Sequence, residues 1–272
     1  MSRVLVTGAA SGLGEAMTRA FRDRGDEVLA TDARFDAVVS TSSTDGAGST
    51  DGLHLDVTAD DDWTAALGWV ADHWGGLDVL VNNAGVAGGG RIDIAGIDEW
   101  RRIVDVNLLG AVRGCRAFAP VFKRQRSGRI VNIASLAGLV HPAGMAAYNA
   151  VKAGVVALTE TLGHELAAYG VTAHVVCPSY FRTDLMASMQ GADRALGRVV
   201  GHLVETSPFT AHQIAAAVLA GLDAGEELIL PDAMARAAYE QKLTDRPAYD
   251  AQMRRQAAQL DELGGDEAAS PE

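Results

Sequence analysis

The sequence predicts an α/β fold in which a doubly wound parallel β-sheet is flanked by helices, within a single domain. Short runs rich in β-branched residues alternate along the chain with longer stretches of helical periodicity. The short runs are almost wholly apolar, as expected of parallel strands that are buried on both faces. With 272 residues, of which 48% are hydrophobic and 21% charged, the chain can build one large core.

Seven strands are expected, with helices in the connections between them. The predicted strands are Val4–Thr7, Glu27–Thr31, Leu53–Val57, Val79–Asn82, Arg129–Ile133, Val171–Cys177 and Leu228–Leu230. The predicted helices are Gly12–Arg24, Ala59–His73, Asp98–Lys123, Ala146–Tyr169 and Ala211–Ala224, with shorter pieces after Thr183. A tract rich in serine, threonine, glycine and aspartate, Ser40–Gly52, takes the place of a further helix, and we expect a flexible loop there.

Three parts of different character follow one another along the chain. Residues 1–231 contain all seven predicted strands and form the main domain. Residues 232–260 predict a helical extension, because Met234, Tyr239 and Leu243 stand among charged residues. This extension packs on the entrance of a site or on a partner subunit, or it is a solvated appendage. Residues 261–272 carry five acidic residues and two glycines, which predicts a flexible acidic tail.

The balance of charge restricts the kinds of partner that the protein can have. A formal net charge of −12 repels nucleic-acid backbones and anionic membrane surfaces, so we expect neither as a partner. No apolar stretch reaches the roughly 20 residues that span a bilayer. The seven histidines are scattered without the spacing of a metal site, and we expect no metal. The expected ligand is a small molecule.

Cysteine content and the first residues of the chain favour a cytoplasmic protein. Only two cysteines occur, Cys115 and Cys177, and both stand in apolar stretches, so a disulfide framework is not expected. The strand-like run that begins at Val4 directly follows Met-Ser-Arg, which leaves no room for a signal peptide. We therefore expect a reducing compartment.

A glycine-rich turn joins the first predicted strand to the first predicted helix. The segment Thr7–Gly14 reads Thr-Gly-Ala-Ala-Ser-Gly-Leu-Gly. Glycines lack Cβ atoms, so the backbone can turn tightly and approach a pyrophosphate, while the helix N-terminus offers free N–H groups. This placement predicts a dinucleotide-binding turn that consists of Gly8, Ser11, Gly12, Leu13 and Gly14.

A carboxylate at the end of the second strand indicates which dinucleotide is bound. Asp32 can accept hydrogen bonds from both hydroxyls of the adenosine ribose, and its charge repels a 2′-phosphate. Ser11 offers no compensating cation. Arg34 can pair either with a 2′-phosphate or with a surface acid. We expect NAD, with NADP less favoured, and we expect Asp56 and Val57 either to meet the adenine or to form a surface turn.

Four polar residues form the predicted catalytic centre. Tyr148 and Lys152 are four residues apart near the start of a long helix, hence on one face of it. A free phenol has a pKa of about 10, so an adjacent ammonium is expected to lower this pKa and let the phenol act as a base. Ser135 follows the fifth strand and can hold a substrate oxygen. Asn107 interrupts an apolar helix face; its amide either binds an ordered water leading to Lys152 or is satisfied by neighbouring backbone.

The motifs follow one another in the order Thr7–Gly14, Asn82-Asn83-Ala84-Gly85, Asn107, Ser135 and Tyr148–Lys152. In this order and spacing the chain resembles the short-chain dehydrogenase/reductase family, from residue 3 to about residue 230. The resemblance implies a Rossmann-fold dehydrogenase domain over residues 1–231, which transfers a hydride between NAD(P) and a secondary alcohol or ketone. It also implies a catalytic tetrad: Tyr148 exchanges the proton, Ser135 orients the substrate oxygen, Lys152 also binds the nicotinamide ribose, and Asn107 holds a relay water.

Further cofactor contacts are implied by the same resemblance. Beyond the glycine turn and the adenosine contacts, they are Asn83, Ala84, Gly85, Tyr148, Lys152, Pro178, Tyr180 and Thr183. The family has Pro-Gly where this chain has Pro178-Ser179. A residue with a Cβ limits how the loop can turn, and this puts the orientation of Tyr180 in question.

Two other functions stay open beside the dehydrogenase. The sugar epimerases and dehydratases of a longer related group use the same Tyr–Lys pair, but they need a larger C-terminal domain. A redox sensor of the same fold typically lacks the Tyr or the Lys, and this chain has both. Methionine and leucine side chains in the segments around the catalytic residues favour an apolar alcohol or ketone as substrate. A homodimer or homotetramer is expected.

Overall fold

One parallel sheet organises the structure, a computed structural model that describes residues 1–36 and 52–268. The strand order is β3-β2-β1-β4-β5-β6-β7. The strands are β1 (Arg3–Thr7), β2 (Glu27–Asp32), β3 (Gly52–His54), β4 (Val79–Asn82), β5 (Gly128–Ile133), β6 (Val171–Val176) and β7 (Leu228–Ile229). The predicted fold class is confirmed. The predicted loop Ser40–Gly52 lies outside the described residues, except for Gly52, which begins β3.

Helices follow most of the strands. They are α1 (Gly12–Asp23), α2 (Asp60–Trp74), α3 (Ile97–Val104), α4 (Gly110–Gln125), α5 (Ala137–Val140), α6 (Ala146–Leu166), α7 (Arg194–Glu205), α8 (Ala211–Ala224), α9 (Ala233–Thr244) and α10 (Arg246–Ala268). The predicted helix Asp98–Lys123 is divided, because a π-helical turn, Asp105–Leu109, separates α3 from α4. Among the described helices, none is long and apolar enough to cross a bilayer.

Alternation along the strands builds a core on each face of the sheet. Val4 and Val6 point to one face, where they pack with residues of α1 and α8. Leu5, between them, points to the other face and packs with residues of α2 and α4. All three side chains are fully buried. Helices therefore cover both faces, which explains why the strands are apolar throughout.

The direction of winding reverses between β1 and β4. From β1 the sheet extends through β2 and β3 on one side and through β4 to β7 on the other. The helices that follow these two strands pack on opposite faces, α1 on one and α4 on the other. A crevice therefore opens at the carboxyl ends of β1 and β4, the position at which open α/β sheets bind their ligands.

The C-terminal extension packs back onto the main domain, so it is not a solvated appendage. Lys242 of α9 donates hydrogen bonds to the carbonyl of Leu139 and to Nδ1 of His141. The Tyr249 hydroxyl donates to the carbonyl of Val140. These contacts attach α9 and α10 to the segment that precedes α6.

The extension was expected to end at residue 260, but α10 continues to Ala268. The first part of the predicted tail 261–272 is thus helical. Leu260 is buried among side chains of the main domain, and Arg91 donates hydrogen bonds to the Leu260 carbonyl at 2.9 Å and to the Asp261 carboxylate at 3.2 Å. These contacts hold the helix where the acidic composition alone predicted an unfolded tail.

A buried ion pair joins the loop after β4 to the start of α7. The side chain of Asp193 is fully buried, and Nε of Arg91 lies 2.9 Å from its Oδ2. The carboxylate also accepts from the backbone N–H of Arg91 and from that of Leu196, so it caps α7. Burial alone raises the pKa of Asp193, but the bonds from Arg91 and the two backbone groups outweigh it and hold the pKa below its usual value.

Removing this carboxylate is expected to destabilise the protein strongly. Asp193→Asn leaves the guanidinium of Arg91 without its charged partner, so the free energy of unfolding falls by about 3 kcal/mol. Urea unfolding followed by circular dichroism measures the change. The matched control is Arg101→Gln, which breaks a pair with Asp98 whose side chains are 73% and 89% exposed. That loss is expected to be about 0–1 kcal/mol, and equal losses in both variants contradict the prediction.

Candidate active site

The glycine turn between β1 and α1 is closely packed backbone. Gly8 has a φ of +65°, and a Cβ on it would lie 2.8 Å from Cα of Ala84. A Cβ on Gly14 would lie 2.1 Å from the carbonyl oxygen of Gly8, closer than atoms can approach. The first turn of α1 begins at Ser11 without a capping side chain from the described residues, so its N–H groups are available to a ligand. The turn therefore fits the pyrophosphate of a dinucleotide.

The loop Asn83-Ala84-Gly85 is fastened to this turn by hydrogen bonds. The hydroxyl of Thr7 accepts from the backbone N–H groups of Asn83 and Ala84, both at 3.0 Å. The side-chain amide of Asn83 donates to the carbonyls of Thr7 at 2.9 Å and Gly8 at 3.3 Å. Thr7 was not among the predicted site residues, although it opens the quoted motif. It joins the ends of β1 and β4, and so shapes the floor of the crevice.

Asp32 ends β2 as predicted, and it is paired with Arg34. The carboxylate is 6% exposed. Arg34 donates from Nε to Oδ1 at 2.9 Å and from Nη2 to Oδ2 at 3.1 Å, and it also reaches the Ser11 hydroxyl at 2.9 Å. Burial alone raises the pKa of Asp32. The hydrogen bonds from Arg34 and from the N–H of Ala10 outweigh burial and hold this pKa below its usual value. The acidic partner that the sequence left open for Arg34 is therefore Asp32 itself.

The residues predicted to meet the adenine, Asp56 and Val57, lie in a loop instead of a strand. The third strand was predicted to reach Val57, but β3 ends at His54. The Asp56 carboxylate accepts from the backbone N–H of Thr58 at 2.9 Å and from its hydroxyl at 2.8 Å, which turns the chain away from the sheet. Asp56 and Val57 both line the cavity described next.

One cavity of about 1000 Å³ extends from the glycine turn to the C-terminal extension. All but two of the predicted site residues line it. Those that do are Gly8, Ser11, Gly12, Leu13, Asp32, Asp56, Val57, Asn83, Ala84, Gly85, Ser135, Tyr148, Lys152, Pro178, Tyr180 and Thr183. Gly14 and Asn107 are not among the lining residues. Gly14 packs against the backbone of Gly8, and Asn107 binds the backbone of Val86; both of these residues line the cavity.

Tyr148 and Lys152 project from the first turns of α6 toward Ser135, which follows β5. The Ser135 hydroxyl interacts with the phenol and lowers its pKa, and Nζ of Lys152 lies 5.7 Å from the centre of the Tyr148 ring. Lys152 donates to the carbonyl of Ile133 at 2.9 Å. Three predicted catalytic residues thus meet at the carboxyl end of β5, as expected for this sheet edge.

The electrostatics of this group differ from the expectation that Lys152 lowers the pKa of the phenol. Burial raises the pKa of Tyr148 to about 12, and the neighbouring Ser135 side chain only partly opposes this shift. Burial also lowers the pKa of Lys152 to about 8. Exclusion of water disfavours the charged form of each group, and burial is the largest cause of both shifts. The phenol is therefore neutral at physiological pH.

Asn107 supports the loop beside the cavity through its side chain. Its amide accepts a hydrogen bond from the N–H of Val86 at 2.7 Å and donates to the carbonyl of Val86 at 2.9 Å. Of the two alternatives that the sequence left open for this amide, satisfaction by neighbouring backbone is the one observed. Asn107 lies in the π-helical turn, a local widening of the helix that often marks functional positions.

Ser179, which stands where the family has glycine, has a hydrogen-bond partner that the sequence did not reveal. The backbone N–H of Ser179 donates to Oδ2 of Asp232 at 2.9 Å, and its hydroxyl donates to Oδ1 at 2.6 Å. Asp232 is buried and caps α9 through the N–H of Ala235. The loop is thereby tied to the extension, and the Tyr180 hydroxyl points to the sulfur of Met145 at 3.7 Å. An aspartate just before a helix was the available signal.

The walls of the far end of the cavity were only partly anticipated. Apolar residues expected there that do line it are Leu136, Met145, Leu185, Met186 and Met189. Side chains from α7 and α10 complete the wall, and these were missed; they are Val199, Val200, Leu203, Val204, Gln252, Arg255, Gln256 and Gln259. The described residues contain no cluster of His, Cys, Asp and Glu that could hold a metal ion.

A dinucleotide turn joined in one cavity to a tyrosine, a lysine and a serine defines a nucleotide-dependent oxidoreductase. The family model described as short chain dehydrogenase matches residues 2–194. The chain belongs to this family, and it is an NAD(P)-dependent oxidoreductase of secondary alcohols and ketones. This identification favours the dehydrogenase over the epimerase, dehydratase and redox-sensor alternatives.

Three similar proteins illustrate the relationship. Trans-4-hydroxycyclohexanecarboxylate dehydrogenase of Sinomonas cyclohexanicum is 36% identical over 74% of this chain and 80% of its own. 2-(R)-hydroxypropyl-CoM dehydrogenase of Xanthobacter autotrophicus is 35% identical over 82% and 93%. The crystal structure of a short chain dehydrogenase/reductase from Burkholderia phymatum in complex with NAD has a TM-score of 0.79 and 26% identity, covering 90% of this chain and 93% of that one.

A methyl group on Gly14 is expected to abolish cofactor binding. In Gly14→Ala the new Cβ must displace the Gly8 carbonyl, 2.1 Å away, and this moves the N–H groups that face the pyrophosphate. Titration of NADH fluorescence measures the dissociation constant, which we expect to rise at least about tenfold. Gly68→Ala is the control, because a Cβ on this glycine of α2 meets no atom within 4 Å. It should bind normally and melt slightly higher; wild-type affinity in Gly14→Ala contradicts the packing argument.

Proposed function

We propose that Tyr148 transfers the proton in an NAD-linked interconversion of a secondary alcohol with an apolar carbon frame and its ketone. The observation that carries this proposal is that Tyr148, Ser135 and the glycine turn line one and the same cavity. The phenol lies at the end of the cavity away from Asp32, where a substrate oxygen can reach it. Ser135 supplies a second hydroxyl that holds the same oxygen.

The neutral phenol determines how the chain's own residues act. In ketone reduction it donates its proton to the carbonyl oxygen, which takes on negative charge as the carbon is reduced. In alcohol oxidation the phenolate must form first, and the Lys152 ammonium is the nearby cation that stabilises it. The dinucleotide, when bound, supplies the acceptor or donor of the hydride. Below a pH of about 8 Lys152 carries its charge, so the cation is present under physiological conditions.

We assign the Asn107 side-chain amide a positioning role: it holds the loop at Val86 in place and does not itself transfer a proton. Both polar atoms of the amide are engaged by the backbone of Val86, which itself lines the cavity. The amide thus fixes the loop beside Tyr148 and Lys152. The relay water that the family resemblance implies would have to be held by another atom of this π-helical turn.

Tyr148→Phe is expected to lower turnover by about a hundredfold or more, because only the transferable proton is removed. The dissociation constant for NADH is expected to stay within about twofold of wild type, since the ring and the Lys152 contact remain. Initial rates with a secondary alcohol and a cofactor fluorescence titration measure the two effects. Lys152→Ala serves as the comparison and should impair both. If Tyr148→Phe keeps more than a tenth of wild-type activity, Tyr148 is not the residue that transfers the proton.

The preference for NAD over NADP rests on Asp32. Its carboxylate is buried at the cavity wall, so a 2′-phosphate placed beside it meets a negative charge that water screens poorly. Arg34 is already occupied by Asp32 and Ser11, and it would have to leave both to bind a phosphate. Leaving the buried Asp32 carboxylate without its cation costs more than the exposed Arg34 gains from a new partner, which favours NAD.

We expect wild-type enzyme to favour NAD by at least about tenfold in kcat/KM, as the loss of charge-assisted hydrogen bonds predicts. Asp32→Ala should narrow this ratio, since it removes the ribose acceptor and frees Arg34. Arg34→Ala should widen the ratio or leave it unaltered. Initial rates with both cofactors at fixed ionic strength test this. The prediction is contradicted if the wild type uses NADP as well as NAD and only Arg34→Ala impairs the use of NADP. In that case Arg34 is the specificity residue.

The remaining parts of the proposal concern substrate, assembly and location. Methionine, leucine and valine side chains around the catalytic end favour a substrate with an apolar carbon frame. The two relatives named above, a hydroxycyclohexane and a hydroxypropyl dehydrogenase, support the same kind of substrate. A homodimer or homotetramer is supported by the exposed apolar side chains of Ile97 and Leu109. Two free, buried thiols, Cys115 and Cys177, support a reducing cytoplasm.

A further inference from the structure

A polar face of α10 forms one wall of the cavity at its catalytic end. Four side chains of this helix line the cavity: Gln252, Arg255, Gln256 and Gln259. Their spacing of i, i+3, i+4 and i+7 places them in one row on the helix surface. The opposing wall, from α7 and the loop before it, is apolar and includes Met186, Val199 and Leu203. An otherwise apolar chamber thus has one polar side.

This face of α10 is held in position at both ends. Before it, the Tyr249 hydroxyl donates to the carbonyl of Val140. After it, Leu260 is 2% exposed and packs with Met145 and Leu196, while Arg91 binds the Leu260 carbonyl at 2.9 Å. These contacts anchor the segment between residues 249 and 260 on both sides of the row that lines the cavity.

Arg255 is the charged member of the row and pairs with no carboxylate of the described residues. Its neighbours three and four positions away on α10 are alanine or glutamine, namely Ala251, Gln252, Ala258 and Gln259. Arg255 is exposed, so its guanidinium is solvated in the open cavity and available to an anionic group of a ligand.

The other charges around the cavity belong to different tasks. Asp32 and Arg34 are paired with each other, and Asp184 raises the pKa of Arg34, which places it near that pair. Lys152 donates to the Ile133 carbonyl beneath Tyr148. Among the described residues that line the cavity, Arg255 is thus the cation not yet assigned a task, and it is available to the substrate.

We infer that α10 carries an anion-binding subsite centred on Arg255, and that the physiological substrate is a secondary alcohol bearing a carboxylate or sulfonate. This rests on the proposed function, since Tyr148 must act on the carbinol at the other end of the same molecule. The planar guanidinium presents paired N–H donors that match two oxygens of such an anion. The amides of Gln252, Gln256 and Gln259 add neutral donors without adding competing charge. The apolar wall contacts the carbon frame between the two groups.

The test compares substrates that differ in one group. The substrates are 4-hydroxycyclohexanecarboxylate, the corresponding sulfonate and the neutral carboxamide, oxidised by the full-length enzyme with NAD. Wild type is expected to prefer one of the two anions over the carboxamide in kcat/KM, and the comparison of carboxylate with sulfonate identifies which. Arg255→Gln should reduce that preference by about tenfold to a hundredfold, mainly through KM, as loss of a charge-assisted hydrogen bond predicts.

Arg254→Gln is the matched control, because Arg254 is the adjacent exposed arginine of the same helix and is not among the lining residues. It should retain the wild-type preference. The inference is overturned if the two variants behave alike, if wild type does not discriminate between anion and amide, or if Arg255→Gln instead weakens NAD binding. Melting temperatures near that of wild type show that both variants are folded.

A binding measurement separates this inference from the proposed function. Cyclohexanecarboxylate has no carbinol and cannot react, yet it should bind the enzyme–NADH complex, as seen by isothermal titration calorimetry. Binding that is lost in Arg255→Gln and kept in Arg254→Gln supports the subsite even if none of the alcohols is oxidised, an outcome that contradicts only the proposed function. Oxidation of all three alcohols without Arg255-dependent binding contradicts only the subsite.

Discussion

The hydroxyl of Thr7 closes the point at which the sheet changes direction. A parallel sheet that winds outward in two directions has a gap between its first two connections. Here the Thr7 side chain at the end of β1 bridges this gap by accepting hydrogen bonds from two backbone N–H groups of the loop after β4. Asn83 returns two hydrogen bonds to the same turn. The nucleotide crevice depends on this cross-link, because it fixes the separation between the glycine turn and the loop that faces it.

Strands, most helices and the nucleotide-binding residues could be predicted from the sequence because their signals are local. A run of β-branched residues, a glycine with no room for a Cβ and a carboxylate after a strand each reveal their role within a few positions. The four catalytic candidates could be predicted from helix spacing and strand ends, whereas their combination into a tetrad came from the family resemblance. Its electrostatics were predicted in the wrong direction, because the extent of burial around Tyr148 is set by segments far away in sequence.

The walls of the substrate end could not be predicted for the same reason. α7 and α10 reach the cavity through contacts such as Arg91 to Asp193, separated by 102 residues, and Arg91 to Leu260, separated by 169. The end of the helical extension was misplaced because acidic composition indicates solvation, whereas hydrogen bonds from Arg91 hold this part of α10 in place. The division of the helix at Asp105–Leu109 left no compositional trace, since π-helical turns use the same residues as α-helices.

The placement of α10 also bears on the order in which the pocket comes into being. Contacts that form the glycine turn join residues 76 and 77 apart, within the first third of the chain, whereas α10 emerges from the ribosome after every other helix and strand described. Long-range contacts form late because closing a long loop costs conformational entropy before any contact compensates for it. A nascent chain therefore acquires its nucleotide crevice first and its substrate chamber last. Leu260 of α10 belongs to the apolar cluster against which Tyr148 packs, so the cover over the phenol is complete only once α10 has docked.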